Sequence, residues 1–463
     1  MGFYVLAPDV ALRSWEGTPY AYVRRFVQKP FRLSPREFAL ALECDGAHDL
    51  PNTFELESLL QRGVIQPCER GTQLSPEQRH RSYPCRVMPW LGLEITGRCN
   101  YNCLHCFNAA DNAPLTSELS LEQVNGLLDE AEQAGMRAVL ISGGEPLVHR
   151  HFADIVRAIY EHGMFVHELN TNGRLLTHEV FELFRSLGYL PEFKISFDGL
   201  GYHDWMRNHK GAEEETLRAI QLCLDEGARV RIQMNANRCN QESIRPSIEH
   251  LARMGVQRIR VICTTDTPRW VANAPGSSFN WDEFQQLALD TSGWYATTGL
   301  ATELCFWQTI TVYPRTHSYT FNRVHYNSRS YRPSRPLCTQ LNGMVSIGAN
   351  GQVYPCLQYS GTMSAWGVTL GNALEEGLLK LMQEGPYSYV AHACVADRLA
   401  HKVKCADCKW LTWCAGGCPA LAYLFSEGDF LAHDPSACRF FEDGWFDRFA
   451  QALEGWACRT PLV

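Results

Sequence analysis

The eight-residue stretch CNYNCLHC, Cys99 to Cys106, contains three cysteines separated by three and then by two residues. It follows LGLEIT at residues 91–96, a short apolar run that is typical of a buried strand. The cysteines are therefore predicted to lie in the loop at the carboxyl end of a strand, where barrels of parallel strands carry their functional groups.

Three kinds of site are compatible with this spacing. Three thiolates can hold three corners of an iron-sulfur cluster, which normally has four cysteine ligands, so that one iron would remain open. A zinc site with three protein ligands, for which His105 is available, is the alternative metal centre. The third interpretation, three buried structural thiols, is disfavoured because loops at strand ends are seldom buried.

Composition restricts the class of protein. The 463 residues are 45% hydrophobic and 20% charged, and no apolar run approaches the ~18 residues of a membrane span. We expect a cytoplasmic protein with no membrane partner, because the first residues lack a basic region followed by an apolar one. The net charge of -8 argues against nucleic acid as a partner. Nineteen cysteines in a long chain of this kind favour metal or cluster ligands over disulfides.

Residues 90–300 show a repeated pattern of short apolar runs and helical segments. Six strand candidates alternate with helices: LGLEIT, AVLISGG, FVHELNTNG, FKISFDG, VRIQMNA and IRVICTT. The alternation predicts an α/β fold with parallel strands, arranged as a partial (β/α)6 TIM-like barrel that is open on one side. After about residue 270 the pattern fades into an aromatic and polar stretch.

Residues 1–85 are predicted to form a separate α+β module of winged-helix character. Ser34 and Pro35 mark the start of one helix, and a second helix runs into a short apolar strand. The module resembles the peptide-recognition element that precedes many peptide-modifying enzymes, in which a leader peptide adds a strand to a sheet edge. A DNA-binding wing is the competing interpretation, but the basic residues are mixed with acidic ones. Residues 71–84 are interpreted as a polar linker.

The cysteine stretch closely resembles the CxxxCxxC signature of the radical S-adenosylmethionine (SAM) enzymes, with His105 at the aromatic position. In that family SAM chelates the open iron of a 4Fe-4S cluster, and the reduced cluster cleaves SAM to a 5'-deoxyadenosyl radical. The segment SGGEP, residues 142–146, matches the family's GGEP motif, in which glycines allow a close backbone approach and exposed amides can bind SAM.

Further residues at strand ends match family positions near SAM, although Asn and Asp there are also ordinary turn formers. The resemblance implies a SAM site made of Gly143, Gly144, Glu145, Asn172, Ser196, Asp198 and Arg207.

The cysteines of residues 338–445 resemble the SPASM extension of radical SAM enzymes, which carries two auxiliary 4Fe-4S clusters. A zinc ribbon is disfavoured because it normally has two CxxC knuckles and this segment has one. The resemblance implies an outer cluster held by Cys405, Cys408, Cys414 and Cys438, and an inner cluster held by Cys338, Cys356 and Cys418. The fourth ligand of the inner cluster is either Cys305 or a substrate thiolate on an open iron. Residues 301–337 are interpreted as a bridge and residues 446–463 as a tail.

Together these resemblances imply an oxidoreductase with SAM and three 4Fe-4S clusters, one radical SAM and two auxiliary. Its expected reaction is hydrogen-atom abstraction from a ribosomally made precursor peptide with a leader, forming a thioether, carbon-carbon or carbon-oxygen crosslink. The expected electron donor is a flavodoxin or ferredoxin. Alternatives are peptide epimerisation, oxidation of a protein side chain or a tetrapyrrole, and a non-enzymatic iron-sulfur or zinc scaffold. No catalytic base is identified; Glu303, Tyr313 and His317 are candidates by location.

Overall fold

The computed structural model describes residues 2–106, 108, 116–323, 331–339, 342–354, 356, 363, 367–401 and 404–457. Its centre is a sheet of eleven strands, whose spatial order is β15 (Ser318–Phe321), β14 (Ile310–Tyr313), β13 (Glu303–Phe306), β12 (Arg258–Cys263), β11 (Arg229–Ala236), β10 (Glu192–Ser196), β9 (Phe165–Thr171), β8 (Ala138–Ser142), β7 (Trp90–Glu94), β16 (Met344–Ile347) and β17 (Val353–Tyr354). The neighbouring pairs from β7 to β12 are all parallel. The six predicted strands are therefore confirmed: β7 (Trp90–Glu94), β8 (Ala138–Ser142), β9 (Phe165–Thr171), β10 (Glu192–Ser196), β11 (Arg229–Ala236) and β12 (Arg258–Cys263).

Helices connect these strands and cover the outer face of the sheet. Along β11 the buried residues alternate with half-exposed ones, so Val230 and Ile232 face the helices while Arg231 and Gln233 face the interior of the barrel. The helices are α3 (Leu121–Gln133), α4 (Phe152–Glu161), α5 (His178–Ser186), α6 (His203–Arg207), α7 (Ala212–Asp225), α8 (Gln241–Met254), α9 (Pro268–Asn273) and α10 (Trp281–Ala296), with a short 3-10 turn at Pro146–Val148.

The sheet continues beyond the six predicted strands on both sides. β13 (Glu303–Phe306) pairs in parallel with β12, and β14 (Ile310–Tyr313) and β15 (Ser318–Phe321) follow in antiparallel pairs. On the other side β16 (Met344–Ile347) pairs in parallel with β7 and is followed by β17 (Val353–Tyr354). The segment interpreted as a bridge thus contributes strands to the barrel sheet, and strands beyond residue 338 join it as well.

The amino-terminal module consists of two small sheets and two helices around its own apolar core. The four-stranded sheet has the order β4-β3-β2-β6, and a second sheet pairs β1 with β5. Part of the predicted linker is strand β6, which pairs with β2, so that interpretation is wrong for residues 81–84. The elements are β1 (Tyr4–Leu6), β2 (Val10–Glu16), β3 (Thr18–Arg24), β4 (Phe31–Arg32), α1 (Pro35–Glu43), α2 (Phe54–Gln61), β5 (Ile65–Pro67) and β6 (Arg81–Arg86).

This module packs against the amino-terminal ends of the barrel strands. The Trp15 indole N–H donates to the carbonyl of Ala134 at 3.0 Å. The Arg137 guanidinium, just before β8, donates to the carbonyls of Arg24 at 2.8 Å and of Val27 at 3.2 Å. The cysteine loop lies at the opposite, carboxyl end of the strands, so the module and the cysteine loop occupy different ends of the barrel.

The carboxy-terminal part consists of short helices that pack on the barrel. Within the described residues, no helix of the chain is long and apolar enough to cross a membrane. The helices are Ala373–Glu376, Leu378–Gln383, Gly385–His392, Val395–Ala400, Leu411–Cys414, Pro419–Phe425, Pro435–Glu442 and Trp445–Ala452, with 3-10 turns at Pro314–Thr316 and Lys404–Asp407.

Candidate functional site

The cysteine loop follows β7 and is held by contacts from helices that follow other barrel strands. The N–H of Leu104 donates to the carbonyl of Met206 in α6 at 2.9 Å. The guanidinium of Arg269, in α9, donates to the carbonyl of Cys103 at 2.8 Å and also to the Asn102 side chain. The Tyr101 hydroxyl donates to Glu215 at 2.8 Å. Helices that follow two other strands, β10 and β12, thus fix the positions of the cysteines.

Burial within this loop is greater than the sequence suggested. Tyr101, Cys103 and His105 are buried, while Cys99 is exposed and Cys106 is half-buried. The expectation that a loop at a strand end is seldom buried therefore fails here, because α6, α7 and α9 cover one side of the loop. A loop held in this way keeps its thiols in place before any ligand binds.

A buried ion pair lies directly behind the cysteines. Arg207 Nη2 is 2.7 Å from Asp198 Oδ2, and Asp198 is fully buried. Arg207 Nη1 also donates to Cys103 Sγ at 3.6 Å. Burial alone would raise the pKa of Asp198, but Arg207, His105, His203 and the N–H of Asn235 lower it to about 2. Asp198 is therefore ionised at neutral pH and holds Arg207 against the Cys103 thiol.

His105 faces this ion pair. Its Nε2 is 3.6 Å from Asp198 Oδ2, and its ring makes an edge contact with Trp270 at a centroid distance of 6.2 Å. Burial lowers the pKa of His105 to about 4, although Asp198 acts in the opposite direction. A neutral His105 that faces Asp198 acts as a packing partner of the ion pair, which accounts for its place in the stretch without a metal bond.

The two glycines of the SGGEP segment bring it into contact with the cysteine loop. The N–H of Gly144 donates to the carbonyl of Thr96 at 2.7 Å, and the N–H of Glu145 donates to the carbonyl of Arg98 at 2.9 Å. A Cβ on Gly143 would lie 2.3 Å from the Thr96 oxygen, and one on Gly144 would lie 2.3 Å from the Arg98 oxygen. The expectation of exposed amides is thus incorrect for residues 144 and 145, whose N–H groups bind the preceding loop.

The Glu145 side chain connects this segment to the next strand. It is fully buried and accepts hydrogen bonds from the Thr171 hydroxyl at 2.8 Å, the N–H of Asn172 at 2.7 Å and the N–H of Leu147 at 3.2 Å. Burial raises the pKa of Glu145 to about 7, although these three donors act to lower it. The Glu145 side chain thus joins the SGGEP segment to the end of β9, and its place in the SAM site stays a prediction.

Two further predicted SAM-site residues lie at neighbouring strand ends. The Asn172 side chain donates to Asn100 Oδ1 at 2.7 Å and lies 3.9 Å from Cys99 Sγ. Ser196 is the last residue of β10 and is half-buried, at the level of Gln233 on β11. The structure therefore places Asn172 beside the exposed Cys99 and Ser196 at the carboxyl end of the neighbouring strand.

The carboxy-terminal cysteines fall into two groups. Burial, followed by the effects of Cys338, Asp434 and Cys356, raises the pKa of Cys418 to about 12, so these three thiols lie close together. Burial, with Cys438, Asp434 and Cys405, raises the pKa of Cys414 to about 12. Cys408 similarly neighbours Cys405. The neighbours in each group belong to the predicted inner and outer ligand sets, whose role as cluster ligands stays a prediction. Among the described residues, no three His, Cys, Asp or Glu side chains are placed to hold a metal ion.

Three charged residues that the sequence did not single out organise the cysteine groups. Arg323 Nη1 is 2.7 Å from Asp434 Oδ2, and both side chains are buried. Asp434 also accepts from the N–H of Cys418 at 3.2 Å and caps the helix that carries Cys438. The fully buried Arg398 donates to the carbonyls of Ala415, Gly417, Phe430 and Leu431. The sequence could have identified Asp434 as a helix cap, because an Asp directly before a Pro is typical of a helix start.

A cavity of about 580 Å³ lies between the barrel strands and the inner cysteines. Cys338, Cys356 and Cys418 line one side, and residues of β8–β13 line the other. Cys305 also lines it and is buried, with its sulfur accepting from Asn322 at 3.4 Å. The structure therefore places Cys305 and the three inner cysteines on the same cavity.

The three candidate proton acceptors differ in position. Glu303 lines the cavity and forms an ion pair with Arg258 at 2.8 Å. His317 is exposed and packs beside Trp456, with ring centroids 5.6 Å apart, outside the cavity lining. The Tyr313 hydroxyl lies 3.4 Å from Thr320 Oγ1. Of the three, Glu303 alone lines the described part of the cavity.

Comparison with known proteins agrees with this architecture. A family model described as the Radical SAM superfamily matches residues 93–262, and one described as an iron-sulfur cluster-binding domain, SPASM, matches residues 338–409. The AdoMet-dependent heme synthase of Methanosarcina barkeri is 26% identical over 76% of this chain and 95% of that protein. The subtilosin biosynthesis protein AlbA of Bacillus subtilis is 30% identical over 46% of each chain.

The crystal structure of Streptococcus suis SuiB bound to precursor peptide SuiA has the same fold. It superposes with a TM-score of 0.63 at 15% sequence identity, covering 94% of this chain and 100% of that chain. SAM and iron-sulfur clusters are the cofactors of the two matched domains. The chain therefore belongs to the radical SAM superfamily, as a radical SAM enzyme with a carboxy-terminal iron-sulfur cluster-binding domain.

Proposed function

We propose that this enzyme abstracts a hydrogen atom from a ribosomally made precursor peptide and installs a crosslink in it. The observation that carries the proposal is the cavity of about 580 Å³, which extends from the inner faces of the barrel strands to Cys338, Cys356 and Cys418. A substrate held in this cavity would lie inside the barrel and also beside the three cysteines that are predicted to hold an iron-sulfur cluster. Crosslinking requires both, because it removes two hydrogen atoms and therefore two electrons.

The residues present fit the cofactors that the family implies. Cys99, Cys103 and Cys106 would hold the radical SAM cluster, and the two carboxy-terminal groups would hold two auxiliary clusters. The fit rests on the chemistry of the donor sets: one loop carries three cysteines, and the carboxy-terminal part carries two groups of neighbouring cysteines, which are the ligands of iron-sulfur clusters. When bound, SAM and its reduced cluster supply a 5'-deoxyadenosyl radical, which carries the difficult chemistry.

The protein's own residues supply position and charge. Arg207 lies against Cys103, and the Gly144 and Glu145 amides fix the loop that carries the cysteines. In the proposed reaction the peptide loses one hydrogen atom, which would convert the 5'-deoxyadenosyl radical to 5'-deoxyadenosine. It loses a second hydrogen as a proton, and the new bond joins the two oxidised positions. The auxiliary clusters that the carboxy-terminal cysteines would hold would supply the acceptor for the remaining electron. An external flavodoxin or ferredoxin is the proposed reductant.

The amino-terminal module offers a binding edge for the leader of such a peptide. β4 is one of the two edges of its four-stranded sheet and pairs only with β3 among the described strands, while its Arg32 carbonyl accepts from Arg62 at 3.1 Å. Phe31 on β4 is 39% exposed and Tyr20 on β3 is 40% exposed, so apolar surface borders this edge. An added strand gains main-chain hydrogen bonds there and covers the aromatic rings. SuiB, whose structure includes its precursor peptide, matches 94% of this chain.

A second candidate function is oxidation of a tetrapyrrole. The heme synthase relative from Methanosarcina barkeri aligns with 95% of its own length, a larger share than the peptide-modifying relatives AlbA and SkfB. That alignment covers 76% of this chain, so about a quarter of the chain has no counterpart in it. Modification of a peptide gives the amino-terminal module a role as the binding site of the leader, and we therefore prefer this function.

Two substrates separate the candidates. The reduced, reconstituted enzyme is incubated with SAM and either candidate precursor peptides from short reading frames near its gene or coproporphyrin III, and 5'-deoxyadenosine and product masses are measured. We expect a peptide product lighter by two hydrogen atoms per crosslink. The Arg32→Pro variant, which places a proline in β4, should weaken leader binding without lowering SAM cleavage. Oxidation of the porphyrin with an unchanged peptide would refute the peptide proposal.

A further inference from the structure

The interior of the cavity carries more basic than acidic side chains. Four of its basic residues form ion pairs with carboxylates. Two of them share Glu168: Lys194 at 3.4 Å and Arg231 at 3.1 Å, and Arg231 also pairs with Glu192. The other two pairs are Arg258 with Glu303 at 2.8 Å and Arg323 with Asp434 at 2.7 Å. The fifth basic residue of the lining is Arg260. Four acids therefore face five cations, and one positive charge remains.

Arg260 is the residue without a partner. Among the described residues it forms no ion pair within 4.0 Å and no hydrogen bond, and its Nε is buried with no acceptor. It influences Glu168 from a distance, but both Glu168 oxygens are already engaged by Lys194 and Arg231. Outside the described residues Asp111 is the single acidic side chain. The chain thus provides almost no other carboxylate that could pair with Arg260.

The position of Arg260 places it where a substrate would lie. It is on β12, between Gln233 of β11 and Cys305 of β13, and it lines the same cavity as Cys338, Cys356 and Cys418. A guanidinium presents a rigid fork of donors that matches a carboxylate with two parallel hydrogen bonds. A half-buried arginine without a counterion lowers the stability of the folded protein unless a bound ligand supplies the missing negative charge.

We infer that Arg260 binds a carboxylate of the substrate inside the barrel and so helps to determine which substrate is accepted. The inference rests on the proposed function in one respect, that the cavity holds the substrate. The carboxylate has two possible sources, an Asp or Glu side chain of a peptide or a propionate of a tetrapyrrole. The recognition chemistry is the same for both, since each presents a planar, singly charged acceptor pair.

The first test measures binding of a small carboxylate and is independent of the substrate class. Trifluorobutyrate is titrated into the anaerobic, reconstituted full-length enzyme and followed by fluorine NMR, with trifluorobutyramide as the neutral probe. We expect the Arg260→Gln variant to bind trifluorobutyrate about 10- to 100-fold more weakly, the range for one charge-assisted contact. Arg260→Lys should retain part of the affinity. Arg253→Gln, on the exposed surface of α8, is the matched control and should bind as the wild type does.

SAM itself carries a carboxylate, so its affinity is measured in the same variants. Our inference predicts that Arg260→Gln leaves the SAM dissociation constant unchanged and that 5'-deoxyadenosine still forms without substrate. Equal trifluorobutyrate binding by the wild type and Arg260→Gln would overturn the inference. A tenfold loss of SAM affinity in Arg260→Gln would also overturn it, because Arg260 would then belong to the cofactor site.

The second test separates the two sources of the carboxylate. Coproporphyrin III is compared with its tetramethyl ester, and the precursor peptide is compared with versions in which each Glu or Asp is replaced by its amide. For the true substrate, removing the carboxylate should raise KM in the wild type and have little further effect in Arg260→Gln. If only the porphyrin behaves in this way, the inference about Arg260 holds and the peptide proposal fails. If neither pair does, the inference about Arg260 fails.

Discussion

Arg207 and Asp198 form an ion pair of 2.7 Å behind the cysteine loop, and the same guanidinium donates to the Cys103 sulfur at 3.6 Å. Asp198 also accepts from the N–H of Asn235 at 3.0 Å, so the pair connects β11 to the loop after β7. The ends of separate strands are thereby held in one arrangement. The cysteines depend on a charge pair that lies more than ninety residues away along the chain.

Breaking this pair from one side should be more damaging than removing it whole. Asp198→Asn leaves Arg207 buried without its partner, and we expect a loss of about 3–5 kcal/mol in unfolding free energy. The double variant Asp198→Asn, Arg207→Gln leaves no unpaired charge and should recover part of that loss. Anaerobic thermal unfolding measures the stability of the single and double variants, and iron analysis shows whether each variant still holds its clusters. A double variant less stable than either single variant would contradict this account.

The three cysteines of the loop should be essential for radical formation only. Changing Cys99, Cys103 and Cys106 to Ala should abolish 5'-deoxyadenosine formation and remove the iron of one cluster. The remaining iron should stay with the carboxy-terminal groups, because their thiols lie elsewhere in the fold. Cys239→Ala, an exposed cysteine whose sulfur donates to Ser277, is the control and should keep full activity. Turnover by the triple variant would disprove our assignment of the radical centre.

A methyl group on Gly144 should displace the cysteine loop. The added Cβ would lie 2.3 Å from the Arg98 carbonyl oxygen, and the atoms it meets are backbone, so the loop must move. We expect Gly144→Ala to lower SAM affinity and cluster occupancy, measured by titration and iron content. Gly126→Ala in α3 is the matched control, because nothing lies within 4 Å of its new Cβ. That change should stabilise the enzyme by about 0.5–1 kcal/mol.

Glu145 should give the enzyme a pH-dependent stability near neutrality. Burial raises the pKa of Glu145 to about 7 from an ordinary value of 4.5. A carboxyl with a raised folded-state pKa binds more protons in the folded state, so its contribution to stability is lost as pH rises through about 7. Between about pH 5.5 and about pH 8 the wild type should lose about 2 kcal/mol relative to Glu145→Gln. A difference that does not vary with pH would show that Glu145 is ionised throughout this range.

The barrel strands were predictable because their chemistry is regular. Six apolar runs alternate with amphipathic helices. The runs are apolar because the strand faces that pack against those helices are buried. β13–β15 escaped this logic because each has only four residues and no α-helix separates one from the next, so the alternation of strand and helix ends there. Short, partly polar strands of this kind are read only once the sheet they extend is known.

In the candidate site, too, some residues could be predicted from local sequence motifs and others could not. Cysteine spacing and the SGGEP segment have local signatures, so Cys99, Gly144 and Arg207 could be found. Arg269 holds the cysteine loop from 166 positions away and carries no motif of its own. Its one local signal was the helix start at Thr267 and Pro268, directly after β12. Contacts between distant segments depend on the folded topology, which no single stretch of sequence contains.

Asp434 joins the two carboxy-terminal cysteine groups, because it accepts from the N–H of Cys418 and caps the helix that carries Cys438. We therefore expect maturation of the two proposed auxiliary centres to be cooperative: inserting one cluster would order the backbone on which the other is assembled. A chain with one auxiliary cluster would then be a short-lived intermediate rather than a stored form. Iron added in limiting amounts should yield fully loaded and empty domains, with few molecules in between.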